Sequence, residues 1–146
     1  MDDVLSAVRA AVVREPDATR AMQAAVAALK HGMPQSDWVG IYLLDGNELV
    51  LGPFEGKPST HTRIPVGRGI CGAAAAEKST IVVDDVRADT RYLACSADTQ
   101  SEIVVPIMRD GEVLGEIDID SDRLAAFGDA DRQMLEAVAA LLAERL

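Results

Sequence analysis

The sequence predicts an α+β fold, a central antiparallel sheet of about six strands flanked by N- and C-terminal helices. Three observations carry that expectation. Two stretches read as β-hairpins with strong turn signals, amphipathic helical stripes stand at both ends of the chain, and the order of elements lacks the regular β-α-β alternation of a parallel sheet.

Val4, Leu5, Val8 and Val12 recur at helical spacing until Glu15-Pro16-Asp17 stops the first helix, with Asp17 capping a second. The stripe of that second helix runs Met22, Val26, Leu29 and ends near His31-Gly32, with Pro34 beyond and His31 at the surface. The two helices form a hairpin. Two β-rich runs then meet at Asp45-Gly46-Asn47, where glycine and asparagine tolerate positive φ. A short strand follows at Arg63 to Pro65, then the small-residue segment GRGICGAAAAEK, which suits a short helix, and a strand at Thr80 to Val83. The polar stretch VRADTRYLACSADTQ has no clean period and reads as a loop. A second hairpin, SEIVVPIMRDGEVLGEIDIDS, turns at Arg109-Asp110-Gly111, and Asp129 is expected to cap a last helix striped by Met134, Leu135, Val138, Leu141 and Leu142.

One domain spanning 1–146 accommodates all of these elements, and a hydrophobic content of 49% is ample for its core. Fourteen basic against twenty-four acidic residues give a net charge of −10, which argues against nucleic acid and anionic membrane as partners. No apolar stretch approaches a bilayer span, and the acidic N-terminus does not read as a secretory leader, so the expected location is cytoplasmic. Two cysteines are too few for a disulfide scaffold and lack zinc-site spacing; in a reducing compartment they are either inert core residues or reactive thiols.

Within the second hairpin, Glu116, Asp118 and Asp120 alternate with Ile117 and Ile119. On a strand this puts three carboxylates in a row on one face and two core isoleucines on the other. Like charges so aligned repel, and the row requires either solvent or a cationic guest.

Taken together, D-W-V-G-I-Y at Asp37 to Tyr42, L-V-L-G-P-F-E-G-K-P at Leu49 to Pro58 and T-R-I-P-V-G-R-G-I-C-G at Thr62 to Gly72 form the first half of a longer pattern. It continues through A-C-S at Ala94 to Ser96, S-E-I-V-V-P at Ser101 to Pro106 and D-I-D-S at Asp118 to Ser121. The chain thereby resembles GAF domains, and among them the free methionine-(R)-sulfoxide reductases. The resemblance implies a GAF-like fold and reduction of free methionine sulfoxide, a repair of oxidised amino acid, with no metal or organic cofactor. It implies that Cys95 is the nucleophile and Cys71 the family's middle cysteine, and that Glu102, Asp118 and Asp120 hold substrate. Glu116 is absent from the matching motif and reads as solvated strand surface. The family's resolving cysteine falls at His61, a departure that puts the usual recycling route in question.

The chemistry fits these residues. A thiolate attacks the sulfoxide sulfur while an acid protonates the departing oxygen, leaving a thioether and a cysteine sulfenic acid. Arg87 and Arg91 stand near Cys95 in sequence and would lower its pKa if they fold close to it. One acid of the crowded set, Glu102 or Asp118 foremost, can stay protonated to serve as the donor, while the others hold the substrate's ammonium group. Its carboxylate is expected at the backbone amides of Gly69 and Ile70, where a helix opens, and its methylthio end against Trp38 and Tyr42 on one strand face. For Tyr42 core packing competes with that role, and Cys71 also reads as a compact core residue. The regenerating reductant would be Cys71, a small thiol or a thioredoxin-like protein, and a homodimer through the alanine-rich helices is compatible with the pattern. The competing function is a non-catalytic GAF module for ligand binding or dimerisation; the chain lacks the cyclic-nucleotide pattern N-K-x-F-D-E and a Cys-His pair for a bilin.

Overall fold

The computed structural model describes residues 2–93 and 97–146. Helices α1 (Asp2–Val13) and α2 (Ala18–Gly32) form the expected hairpin. Asp17 caps α2 by accepting from the Arg20 amide at 2.8 Å, which satisfies one of the amides a helix start leaves unpaired. Strands β1 (Trp38–Asp45), β2 (Glu48–Glu55) and β3 (Arg63–Pro65) precede α3 (Gly69–Glu77) and β4 (Ile81–Val83). A short 3₁₀ turn at Val86–Ala88 leads to β5 (Ser101–Arg109), β6 (Glu112–Ser121) and α4 (Asp129–Ala143).

The six strands form one antiparallel sheet in the order β3-β2-β1-β6-β5-β4, so the α+β expectation holds. Two apolar layers sandwich it. Val39 and Ile41 of β1, Ile103 and Val105 of β5, and Ile117 and Ile119 of β6 pack against α1, α2 and α4. On the opposite face, Trp38, Tyr42 and Val104 pack with Ile70, Cys71 and the alanines of α3. α3 is therefore buried by a run of small residues, without the one-sided apolar stripe of the other helices.

Three local readings need correction. α4 is capped at Gly128, one residue before the expected Asp129, and the side chain that bonds back is Asp131, accepting from the Gly128 amide at 2.9 Å. In the first hairpin turn Gly46 takes positive φ and Asn47 does not, whereas Asp110 and Gly111 both do so in the second. β4 begins at Ile81, where its pairing with β5 starts, and Thr80 lies just outside it, its hydroxyl donating to Glu136 at 2.7 Å.

Candidate active site

Register fixes the site. On the α3 side of the sheet Trp38 stands opposite Asp120, and Asp120 opposite Glu102; one step along, Gly40, Asp118 and Val104 line up, and beyond them Tyr42, Glu116 and Pro106. The period-two alternation of β6 thus delivers its carboxylates to one face, and β5 adds Glu102 beside Asp120. Contrary to the solvated reading of the row, Glu116 is completely buried, and Glu102, Asp118 and Asp120 are nearly so. The reason is tertiary: α3 lies over this face and shuts the inner end of the row off from water.

None of the four acids has a Lys, Arg or His within ion-pair distance among the described residues. Asp118 Oδ1, Asp120 Oδ1 and both oxygens of Glu116 have no hydrogen-bond partner there either. Burial is the largest cause pushing all four carboxyls above their ordinary range, and the Asp118 charge pushes Glu102, Glu116 and Asp120 further. Hydrogen bonding from Glu102 and Cys71 moderates the rise at Asp118. A buried set of acids with no cation is a standing electrostatic demand for one.

Cys71, buried on α3, donates its thiol to Asp118 Oδ2 at 3.3 Å. Burial foremost, then the Asp118 charge, raises its pKa well above that of a free thiol. Sγ of Cys71 and carboxylate oxygens of Glu102 and Asp118 lie within 4.8 Å of one another, a spacing one ion could bridge. A mixed soft and hard donor set favours no particular metal, and we assign none.

A cavity of about 170 Å³ opens against the outer end of the row, lined by Asp118, Asp120, Trp38, Tyr42, Lys57 and Asp98 among others. A smaller recess of about 20 Å³ meets it at Tyr42 and Asp118 and is bounded by Gly69, Ile70, Cys71 and Glu102. The two spaces together bring Trp38, Tyr42, Glu102, Asp118, Asp120, Gly69, Ile70 and Cys71 into one neighbourhood. Trp38 is pinned by donating its indole N–H to the Lys57 carbonyl at 2.9 Å and by stacking on Phe54. Its ring lies across Gly40, where an added Cβ would sit 2.2 Å from a ring carbon. Tyr42 packs in the core, the first of its two expected roles, and it lines both spaces while its hydroxyl donates to the His61 carbonyl at 2.9 Å. Cys95 lies outside the described residues. Arg91 is engaged by Asp89 at 2.8 Å and Glu77 at 3.6 Å, so it is already balanced by acids. Lys57, paired with Asp98 at 3.5 Å across the cavity mouth, is a lining residue that sequence reasoning missed; its only signal was a place in the G-K-P segment.

The family model described as GAF domain matches residues 17–146. The chain is a GAF domain. A free methionine-R-sulfoxide reductase of Escherichia coli is 41% identical to it over 116 residues, 80% of this chain and 70% of that protein. GAF domain-containing protein A of Dictyostelium discoideum is 45% identical over 106 residues, 72% of this chain and 66% of its own length. The matched stretches thus span about two thirds of those two relatives. The crystal structure of the Neisseria meningitidis free methionine-R-sulfoxide reductase in complex with its substrate superposes with a TM-score of 0.94 at 42% identity, over 99% of this chain and 86% of that one. This GAF domain belongs with the free methionine-R-sulfoxide reductases.

Proposed function

We propose that this GAF domain, acting as one unit over residues 1–146, reduces free L-methionine-(R)-sulfoxide to L-methionine with thiol as reductant. One observation carries the reading: a row of buried acids with no counter-cation among the described residues borders an amino-acid-sized cavity walled by Trp38 and Tyr42. A free amino acid supplies the missing cation. Asp118 and Asp120 take its ammonium group, the amides of Gly69 and Ile70 take its carboxylate, and the methylthio end rests on the aromatic wall. A protonated Glu102 or Asp118, both held above the ordinary carboxylate range by burial, protonates the sulfoxide oxygen.

The Cys95 thiolate attacks sulfur and the oxygen passes to it, so that sulfoxide and thiol become thioether and sulfenic acid. The sulfenic acid then condenses with a second thiol to give a disulfide and water. With His61 at the resolving position, that thiol is Cys71 or an external small thiol, and a thioredoxin-like protein or small thiol restores the dithiol. A reducing, cytoplasmic setting suits a pair of free thiols.

The test is formation of methionine from each sulfoxide diastereomer with dithiothreitol. The R form is turned over and the S form is not, and Cys95→Ser abolishes turnover while free methionine still binds. Equal or absent turnover of the R form would leave only the ligand-binding alternative, which the His61 departure favours.

A further inference from the structure

The smaller recess beside Cys71 is the size of one ion and is walled by donors. Its volume of about 20 Å³ leaves room for one water-sized guest, and Cys71, Glu102 and Asp118 all line it. One donor atom from each, a sulfur and two carboxylate oxygens, lie within 4.8 Å of one another, and all three residues are buried. His61 borders the recess as well, but none of its nitrogens belongs to this close group. Around a tetrahedral zinc-type ion a sulfur and an oxygen stand roughly 3.6 Å apart and two oxygens roughly 3.4 Å. Cys71 Sγ and Asp118 Oδ2, at 3.3 Å, already have close to that spacing, and the other separations need to shrink by at most about 1.4 Å. Asp118 Oδ1 has no hydrogen-bond partner among the described residues, so a carboxylate at the recess still has an oxygen to give.

We propose that this recess takes up one thiophilic divalent cation of the zinc class, held by the Cys71 thiolate, Glu102 and Asp118, and that the ion switches the site off. The donor types select this class. Calcium takes about six to eight oxygens and magnesium a near-octahedral oxygen shell, which three protein donors including a sulfur do not supply. Sulfur with carboxylate oxygen suits zinc and its neighbours, and three protein ligands leave a fourth position to water. An ammonium group answers the carboxylates of the row but offers nothing to a thiol. After burial, it is the carboxyls of Asp118, Glu116, Glu102 and Asp120 that keep the Cys71 thiol protonated, and the same negative surroundings attract a dication. The donors do not choose among metals of this class, and the ion is an inhibitor with no part in the reaction.

No electrons move on binding: metal–sulfur and metal–oxygen bonds form, and the protons they displace from Cys71 and the carboxyls pass to water. The ion site stands on the geometry alone, whereas its consequence for turnover rests on the reaction proposed above. Glu102 and Asp118 cannot protonate the sulfoxide oxygen while they ligate an ion. Asp118 is withdrawn from the ammonium group, and Cys71 no longer serves as the second thiol.

In the full chain carrying Cys95→Ser, Cys71 is the only thiol, so a thiolate-to-cobalt charge-transfer band reports ligation by that one sulfur. Titration with Co²⁺ is expected to raise the band to saturation at one ion per chain, Zn²⁺ to displace the cobalt and EDTA to abolish the band. Asp118→Asn and Glu102→Gln each weaken cobalt binding roughly tenfold or more, whereas Asp122→Asn at the cavity mouth leaves it unchanged. Absence of the band overturns the proposal whether or not any further variant folds. So does a band that Asp118→Asn and Glu102→Gln leave intact, since the thiol then binds alone, and so does a loss on Asp122→Asn as great as theirs, which puts the ion at the mouth. In the unsubstituted, pre-reduced protein, one equivalent of Zn²⁺ should remove most of a single turnover of the R sulfoxide, measured without dithiothreitol, which itself binds zinc, and EDTA should restore it. Full turnover at saturating Zn²⁺ overturns the switching role. No turnover even without Zn²⁺ counts against the proposed reaction alone and leaves the cobalt titration to decide the site.

Discussion

Gly40 shows how much one missing side chain contributes to the site. Its place opposite Asp118 leaves the strand bare where the Trp38 ring lies, with three ring carbons within 3.0 Å of where a Cβ would be. Gly40→Ala forces the indole off its stack on Phe54 and away from the Lys57 carbonyl. The expected loss is about 1–3 kcal/mol of stability, as for other overpacked sites, together with a roughly tenfold rise in KM for the sulfoxide. Trp38 is the only tryptophan, so its fluorescence reports the displacement directly; unchanged emission and unchanged KM would show that the ring does not need the gap. At this scale Asp118 and Asp120 were legible because alternation along a strand dictates a shared face, and Glu102 because the hairpin places it across from them. Glu116 obeyed the same period and was misread. Periodicity assigns a face but does not reveal whether a helix covers it. Lys57 and Asp98 were illegible for a related reason: they meet only where two loops cross the cavity mouth.

Among the elements, the β5–β6 hairpin carries all four buried acids of the row and its partner strand. Glu102 comes from one arm and Asp118 and Asp120 from the other, so the pairing of acids depends on register, and register depends on the turn at Asp110-Gly111. Both turn residues have positive φ, the mirror-image turn that suits the right-handed twist of paired strands. An added Cβ at Gly111 would meet no atom within 4 Å, so Gly111→Ala isolates the conformational cost. About 1–2 kcal/mol should be lost, seen as a lower Tm, with KM unchanged because the acids lie at the far end of the hairpin. An unaltered Tm would mean that the turn does not set the register. The aspartate-glycine signal made this hairpin plain from sequence, as the hydrophobic stripes did for α2 and α4. α3 was harder to read, since a helix buried in small residues has no polar side to give a period; its glycine-rich start and alanines were its only marks.

For the molecule as a whole, the uncompensated acids couple stability to pH and to ligand. Glu102, Glu116, Asp118 and Asp120 all have pKa values raised in the folded state, burial being the largest cause in each. In the unfolded chain they ionise in the ordinary range near pH 4. Below that range both states are protonated and the stabilising contribution is fully present; above it the folded state holds more protons than the unfolded one, so stability falls as pH rises towards the folded-state pKa values. Other acids of a chain with net charge −10 add to the same trend through general repulsion. The comparison that isolates the buried row is therefore between the protein and Glu116→Leu: the variant's stability advantage in urea denaturation should widen steadily from about pH 5 to pH 8. With its ammonium group on Asp118 and Asp120 as proposed, free methionine would act on the same balance from the other side by favouring their ionised forms. Its stabilisation, about 2.7 kcal/mol at a hundredfold excess over Kd, should be reached at lower methionine concentration as pH rises through this window. An advantage of Glu116→Leu that narrows with pH would mean that Glu116 is ionised in the folded protein, and methionine affinity that weakens with pH would mean that the acid row does not receive the ammonium group.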